Sequence, residues 1–239
     1  MQSDIIRYGN RLITYSVIHS KRKTLGISVT PDKRVIVRCP LIVRREKVDA
    51  IIQKRLKWIS EKLSFFESLS ENIPVRRYVS GESHFYLGKQ YRLKVVKSKD
   101  EEVKLIGPYI FVYTLKGNNR KVVEILLDYW YKEKALKYYN KAVKKWMPAF
   151  KKYNISEPGI VIKKMKKRWG SCNTKNKVIV NQDLIKTPSR CINYLIVHEL
   201  CHLIHRDHNS EFYNLLSKKF PDWKKTKSLL DYFGVKVIF

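Results

Sequence analysis

Short apolar runs, in part alternating with polar positions, make residues 4–39 read as β structure. Leu12 to Ile18 partly alternates, Thr24 to Val29 is rich in β-branched residues, and Val35-Ile36-Val37 is a short apolar run. Pro31-Asp32-Lys33 reads as a hairpin turn between the last two, and Pro40 ends the series. The period changes over 44–69. Val48, Ile51, Ile52, Leu56, Ile59, Leu63 and Phe66 recur at helical spacing with Arg and Lys opposite, and Trp58 is expected on the packed side. Strand patterning returns over 78–116, in runs such as Tyr91 to Val95 and Tyr109 to Leu115, punctuated by Gly81, Gly88 and Gly107-Pro108.

Lys116-Gly117-Asn118-Asn119 is the most loop-like stretch. It predicts a boundary between a β-rich part, 1–118, and a C-terminal part, 119–239. Residues 120–153 read as a long helix with Val123, Leu126, Leu127, Trp130, Tyr131, Leu136, Tyr139 and Val143 on its apolar stripe and a bend near Pro148. Residues 159–168 form a strand flanked by basic residues, and Lys177 to Asn181 a second one. Pro188 opens the next helix, Ser210 to Phe220 the one after, and Pro221-Asp222-Trp223 a third. An apolar, strand-like tail is expected at Val235 to Phe239. No internal repeat is evident. The fold class is α+β.

Composition changes this picture in one respect. Among 239 residues, 50 are Lys or Arg and 21 are Asp or Glu, a formal net charge of +29. Such a charge attracts polyanions, so nucleic acid or nucleotides are candidate partners through a basic surface. A lysine-rich, solvated surface explains it equally well. The cysteines, Cys39, Cys172, Cys191 and Cys201, show no C-x-x-C spacing and follow no secretory pattern, which points to reduced thiols and a cytoplasmic protein. No run of 18 apolar residues is present, so no membrane span is expected.

The chemistry concentrates in Val197 to His208, where four of the six histidines fall. His198-Glu199-Leu200-Cys201-His202 is an H-E-x-x-H sequence. Two histidines four apart on a helix leave the same face one turn apart and can share one Zn²⁺, with Glu199 beside them as a base for the attacking water. A catalytic site needs a third protein ligand and one open position. His205 and His208 are the candidates. On a continuing helix His205 would sit roughly 10 Å beyond His198 along the axis, a stretch for one ion. Asn209-Ser210 reads as the cap of a new helix, and a turn before it would bring His208 back. His208 is therefore preferred, with His205 outside the ligand set. Cys201 points away from the ligand face and reads as core.

Several motifs then fall in one order: Arg168-Trp169-Gly170-Ser171-Cys172, Val180-Asn181 with Leu184, Pro188, Tyr194 to Leu203, His208-Asn209-Ser210, Phe212-Tyr213 and Pro221-Asp222-Trp223. The chain resembles the YgjP-like metallopeptidase family, related to SprT-type zinc proteases. The resemblance extends to Lys57-Trp58-Ile59, Gly81-Glu82 and Tyr86-Leu87-Gly88, so it covers nearly the whole chain. It implies zinc on His198, His202 and His208, Glu199 as general base, and a zincin-like helical core whose small sheet, placed at 159–182, borders the metal cleft. It also allows one continuous domain. Tyr213 stands where Trp is expected and Asn176 where a turn glycine is expected. The ligand spacing also resembles metzincins, but no Met follows His208 and the middle glycine position is His205.

Zinc-dependent peptide hydrolysis is the leading expectation. A metal-dependent nucleotide pyrophosphatase is the alternative, with Lys163, Lys164, Lys166, Lys167 and Arg168 gripping a triphosphate, and a nucleic-acid-associated protease of SprT type is another. Arg168, Tyr194 and Tyr213 are further candidates for contacting substrate or a developing oxyanion. His19 and His84 read as ordinary surface or core histidines.

Overall fold

The computed structural model describes residues 2–22, 24–30, 32–70, 76–165, 168–172 and 176–238. Backbone contacts divide the chain into two compact units, Met1–Pro74 and Val75–Ile238. The predicted hairpin turn at Pro31 lies partly outside the described residues, as do Lys166 and Lys167 of the basic cluster.

In the first unit four strands, β1 (Gln2–Tyr8), β2 (Arg11–Ser20), β3 (Gly26–Val29) and β4 (Val35–Pro40), form a sheet of order β1-β2-β4-β3. Helix α1 (Arg45–Ser70) lays Val48, Ile52, Leu56, Ile59 and Leu63 into a core with Ile13, Tyr15, Val35, Val37 and Cys39. Trp58 does not join it and is 36% exposed. It lies two residues, about 200° of helical rotation, beyond Leu56, which turns it away from the sheet.

The second unit opens with β5 (Ser83–Tyr86), β6 (Lys89–Lys97), β7 (Glu102–Ile106) and β8 (Tyr109–Thr114), in the order β5-β6-β8-β7. Both sheets use the same pairing: an antiparallel first pair, a parallel inner pair and an antiparallel last pair. Each is followed by a long helix, α1 or α2 (Arg120–Trp146). A ββββα unit is thus repeated, contrary to the sequence expectation. Strand pairing is a non-local property that two different sequences can share.

The expected boundary at 118/119 falls inside the second unit. Leu93, Ile110 and Val112 of the sheet share one core with Val123, Leu127, Trp130, Tyr131 and Tyr139 of α2, so the loop between them joins parts of one body. Asn119 caps α2 by accepting from the Val122 N–H. Leu136, expected on the apolar stripe, is exposed, and the small Ala135 takes the buried place. At Pro148 the helix ends rather than bends, tightening into a 3-10 segment, Met147–Tyr153.

Three short strands follow: β9 (Gly159–Lys163), β10 (Gly170–Cys172) and β11 (Lys177–Asn181), ordered β10-β11-β9. β10 is an edge strand, antiparallel to β11. Helices α3 (Ser189–His202), α4 (Ser210–Lys219) and α5 (Trp223–Ile238) complete the unit. The tail read as a strand is the last turn of α5. Five residues, four of them apolar and the last, Phe239, outside the described residues, are too few to set a period against a helix already running from Trp223.

Candidate metal centre and active site

Helix α3 is buried nearly all round, with Cys191, Ile192, Leu195, Ile196, Val197, Leu200 and Cys201 in the core. Its last turn sends out His198 and His202, whose ring centroids lie 4.8 Å apart. The helix then stops. His205 N–H donates to the Cys201 carbonyl at 2.9 Å, and Asn209 caps α4 by accepting from Phe212 N–H at 2.9 Å. The turn between them carries His208 back over α3.

The Nε2 atom of His208 lies 3.1 Å from Nε2 of His202 and 3.1 Å from Nε2 of His198. One ligand atom from each of the three rings lies within 4.8 Å of the others. A single N–H can point along only one of the two short approaches, so hydrogen bonding does not explain the cluster. Nitrogens bound to one tetrahedral ion at 2.0–2.1 Å would stand about 3.3 Å apart, close to what is seen. The His205 carbonyl faces Nδ1 of His202 at 3.1 Å. A carbonyl only accepts, so the proton belongs on Nδ1 and Nε2 keeps its lone pair for a metal. The Nδ1 atom of His198 is buried without a partner among the described residues. These three residues fit a divalent cation.

Phe212, fully buried, forms the floor, with ring centroids 5.0, 4.5 and 4.7 Å from His198, His202 and His208. Burial, then the neighbouring His202 and His208 and the charge of Lys227, push His198 down to about 3. His208 is also lowered, first by burial, then by His202 and Lys227. Neutral imidazoles are the ligating form.

Glu199 is 3% exposed, and its Oε2 has no partner among the described residues. Burial raises its carboxyl to about 8, against the opposing charge of Arg168. Gly170 of β10 passes directly over it: a Cβ there would stand 2.6 Å from Glu199 Oε1. The cleft in front measures about 720 Å³ and is lined by Gly170, Ser171 and Cys172 of β10, by His198, Glu199, His202 and His208, and by Asn154, Ser156, Asn176 and Arg206, among others. The side-chain amide of Asn176 donates to Ser156 Oγ at 2.8 Å. Asn176 has φ +50°, the left-handed backbone of the turn-glycine position it occupies.

The other sequence candidates lie elsewhere. His205 faces Glu211 at 3.5 Å, and only its carbonyl reaches the ligand set. Tyr194 packs against His198, 5.9 Å between centroids, and burial first, with Asp231, keeps its hydroxyl protonated well above the usual range. Tyr213 stacks between His208 at 5.9 Å and Trp223 at 5.2 Å. Neither tyrosine lines the cleft, nor do Lys163, Lys164 or Arg168. Lys164 is paired with Asp128, and Arg168 acts on Glu199 only through its charge. His84 is buried and His19 exposed. Sequence reasoning missed Phe212 as the floor, Asn154, Ser156 and Arg206 as lining, and Gly170 as the backbone against Glu199. For Gly170 a signal existed, since glycine inside a strand often marks close backbone approach.

The sequence model of a family described as "YgjP-like, metallopeptidase domain" matches residues 23–233. Among solved structures, the crystal structure of the metallopeptidase zymogen of Methanocaldococcus jannaschii jannalysin is similar at 23% identity and a TM-score of 0.35, over 39% of this chain and 93% of that one. Among curated proteins none matches the sequence.

Proposed function

Because the chain belongs to the YgjP-like metallopeptidase family and is on that ground a metallohydrolase, we propose that it is a zinc-dependent peptidase in which His198, His202 and His208 hold the ion and Glu199 is the general base. The observation that carries this reading is the meeting of three imidazole nitrogens beside a buried carboxylate with one unpartnered oxygen.

A bound ion supplies Lewis-acid polarisation of the scissile carbonyl and makes water acidic enough to lose a proton near neutral pH. Glu199 accepts that proton and hands it to the leaving amine. Its buried surroundings favour the protonated form, which suits it for the second half of that transfer. His205 fixes the tautomer of His202 through its carbonyl. Phe212 keeps the protein side of the three rings dry. β10, the end strand of its sheet among the described residues, lines the cleft, which supports a peptide lying extended beside it. Among the described residues of the basic cluster, Lys163, Lys164 and Arg168 do not line the cleft, which favours peptide over nucleotide.

The test is Glu199→Gln assayed on casein or a peptide library, with metal analysis of untreated protein. One zinc per chain in both forms and a fall in cleavage of about 10²–10⁴-fold in the variant are expected. Equal cleavage by both forms overturns the mechanism, and a different resident metal overturns the zinc assignment.

A further inference from the structure

One face of the β5-β6-β8-β7 sheet belongs to the core of its unit and the other does not. In β8, Ile110, Val112 and Thr114 are fully buried, while Tyr109, Phe111 and Tyr113 alternate with them and remain half-buried. These three rings join neither hydrophobic core. They form a row along an inner strand, with centroids 5.9 and 6.0 Å apart, and Phe111 and Tyr113 are parallel to within 15°.

Cations flank the row. The register sets Arg92 beside Tyr109 and Lys94 beside Phe111 from β6, and Lys104 beside Phe111 from β7. All three are exposed. The Lys94 ammonium lies 4.0 Å from the Tyr109 centroid and 5.6 Å from that of Phe111, and the Lys104 ammonium 5.7 Å from that of Tyr113. Glu102, beside Tyr113 and paired with Lys104, is the one acid in these rows. The architecture does not require the rings. At the corresponding strand of the first sheet, β4, the alternate positions are Ile36, Arg38 and Pro40.

We propose that this face binds single-stranded nucleic acid, with bases stacked on Tyr109, Phe111 and Tyr113 and phosphates met by Arg92, Lys94 and Lys104. Base faces and aromatic rings stack without regard to sequence, and interleaved cations follow the backbone. A duplex hides its base faces, and an acidic peptide has the charge but nothing to stack. The net charge of +29 draws in a polyanion over distance. None of these residues lines the metal cleft, so the site stands independently of the hydrolytic reading.

The experiment is fluorescence anisotropy of the full chain with a labelled 15-nucleotide oligo-dT, a duplex of equal length, and unlabelled polyglutamate as competitor, across a salt series. The single strand should bind more tightly than the duplex. Tyr109→Ala and Phe111→Ala should each weaken it by about five- to a hundredfold, and Phe111→Tyr should retain it. Lys94→Ala should reduce the salt slope by about 0.7. Should Phe111→Ala lose its melting transition, Phe111→Leu, which keeps apolar bulk and removes the ring, replaces it. Absence of binding, a duplex bound as well as the single strand, ring variants that bind like wild type, or equal competition by polyglutamate overturns the proposal.

Discussion

Gly170 lies so close over Glu199 that a Cβ added to it would stand 2.6 Å from Oε1 and 3.1 Å from Cδ. Leu195 Cδ2, one turn earlier on α3, would be 3.2 Å away. The carboxylate of the proposed base is therefore held from above by a strand backbone with no room for a methyl group. Gly170→Ala should displace the carboxylate and leave the three histidines alone. Overpacking of this kind costs about 1–3 kcal/mol, and if it appears as misplacement of the base, kcat should fall by about 10–100-fold. Metal content should not change. Steady-state kinetics beside metal analysis decides it, and a variant with wild-type kcat removes Gly170 from the positioning of Glu199.

The histidine cluster makes a thermal prediction. Three neutral imidazoles facing one point repel or leave lone pairs unsatisfied unless a cation sits among them. An ion present at a hundred times its Kd adds about 2.7 kcal/mol of stability, several degrees in Tm for a unit of this size. Chelation should lower Tm by that amount and abolish hydrolysis, and zinc should restore both. His208→Ala should show the lower Tm with or without chelator. An unchanged Tm on chelation speaks against a metal at this position.

The meeting of three histidines was legible because each part of it is local. Four-residue spacing on a helix places His198 and His202, and Asn209-Ser210 signals the restart that returns His208. What surrounds the set depends on distant chain. Phe212 reads as an ordinary apolar residue of α4, and nothing near it in sequence says that three rings rest on it. The repeated strand order escaped notice because pairing β2 with β4 and β6 with β8 leaves no local trace. The loop at 116–119 was legible as a loop but not as a connection inside one core, since Leu127 and Val112 meet only in the folded unit.

Gly88 joins the β5–β6 turn to the start of α3. Its φ is +80°, and a Cβ there would lie 2.7 Å from Pro188 Cγ and 2.8 Å from Pro188 Cα. The turn is also tied by Leu87 N–H donating to the Ile185 carbonyl at 2.9 Å and Gly88 N–H to the Lys186 carbonyl at 3.1 Å. Gly88→Ala combines a left-handed backbone with a clash against the residue that caps α3, together roughly 2–5 kcal/mol. Denaturant titration should show that loss as a lower midpoint. A midpoint like that of wild type means the turn can move away from Pro188 at no cost.

His84 gives the second unit a dependence on pH that does not involve the metal. It is 4% exposed, and its Nε2 has no hydrogen-bond partner among the described residues, with Glu82 Oε1 at 3.6 Å. Burial first, then the charges of Arg76 and Lys186, against the pull of Glu82, push it down to about 4. The unfolded chain takes up this proton near 6.5 and the folded chain only near 4, so the unfolded state binds more protons in between and stability rises with pH across that window. The slope from one such group is at most about 1.4 kcal/mol per pH unit. Burial alone would raise Glu82, but the facing His84, the Tyr78 N–H at 2.6 Å and Arg76 bring it below the usual carboxylate value. Its contribution is also lost as pH falls, at the acid end of the same range. Denaturation midpoints taken between pH 4.5 and 6.5 should therefore climb, and His84→Gln should flatten the climb whatever it does to the absolute level. An unaltered slope in the variant assigns the dependence to other groups.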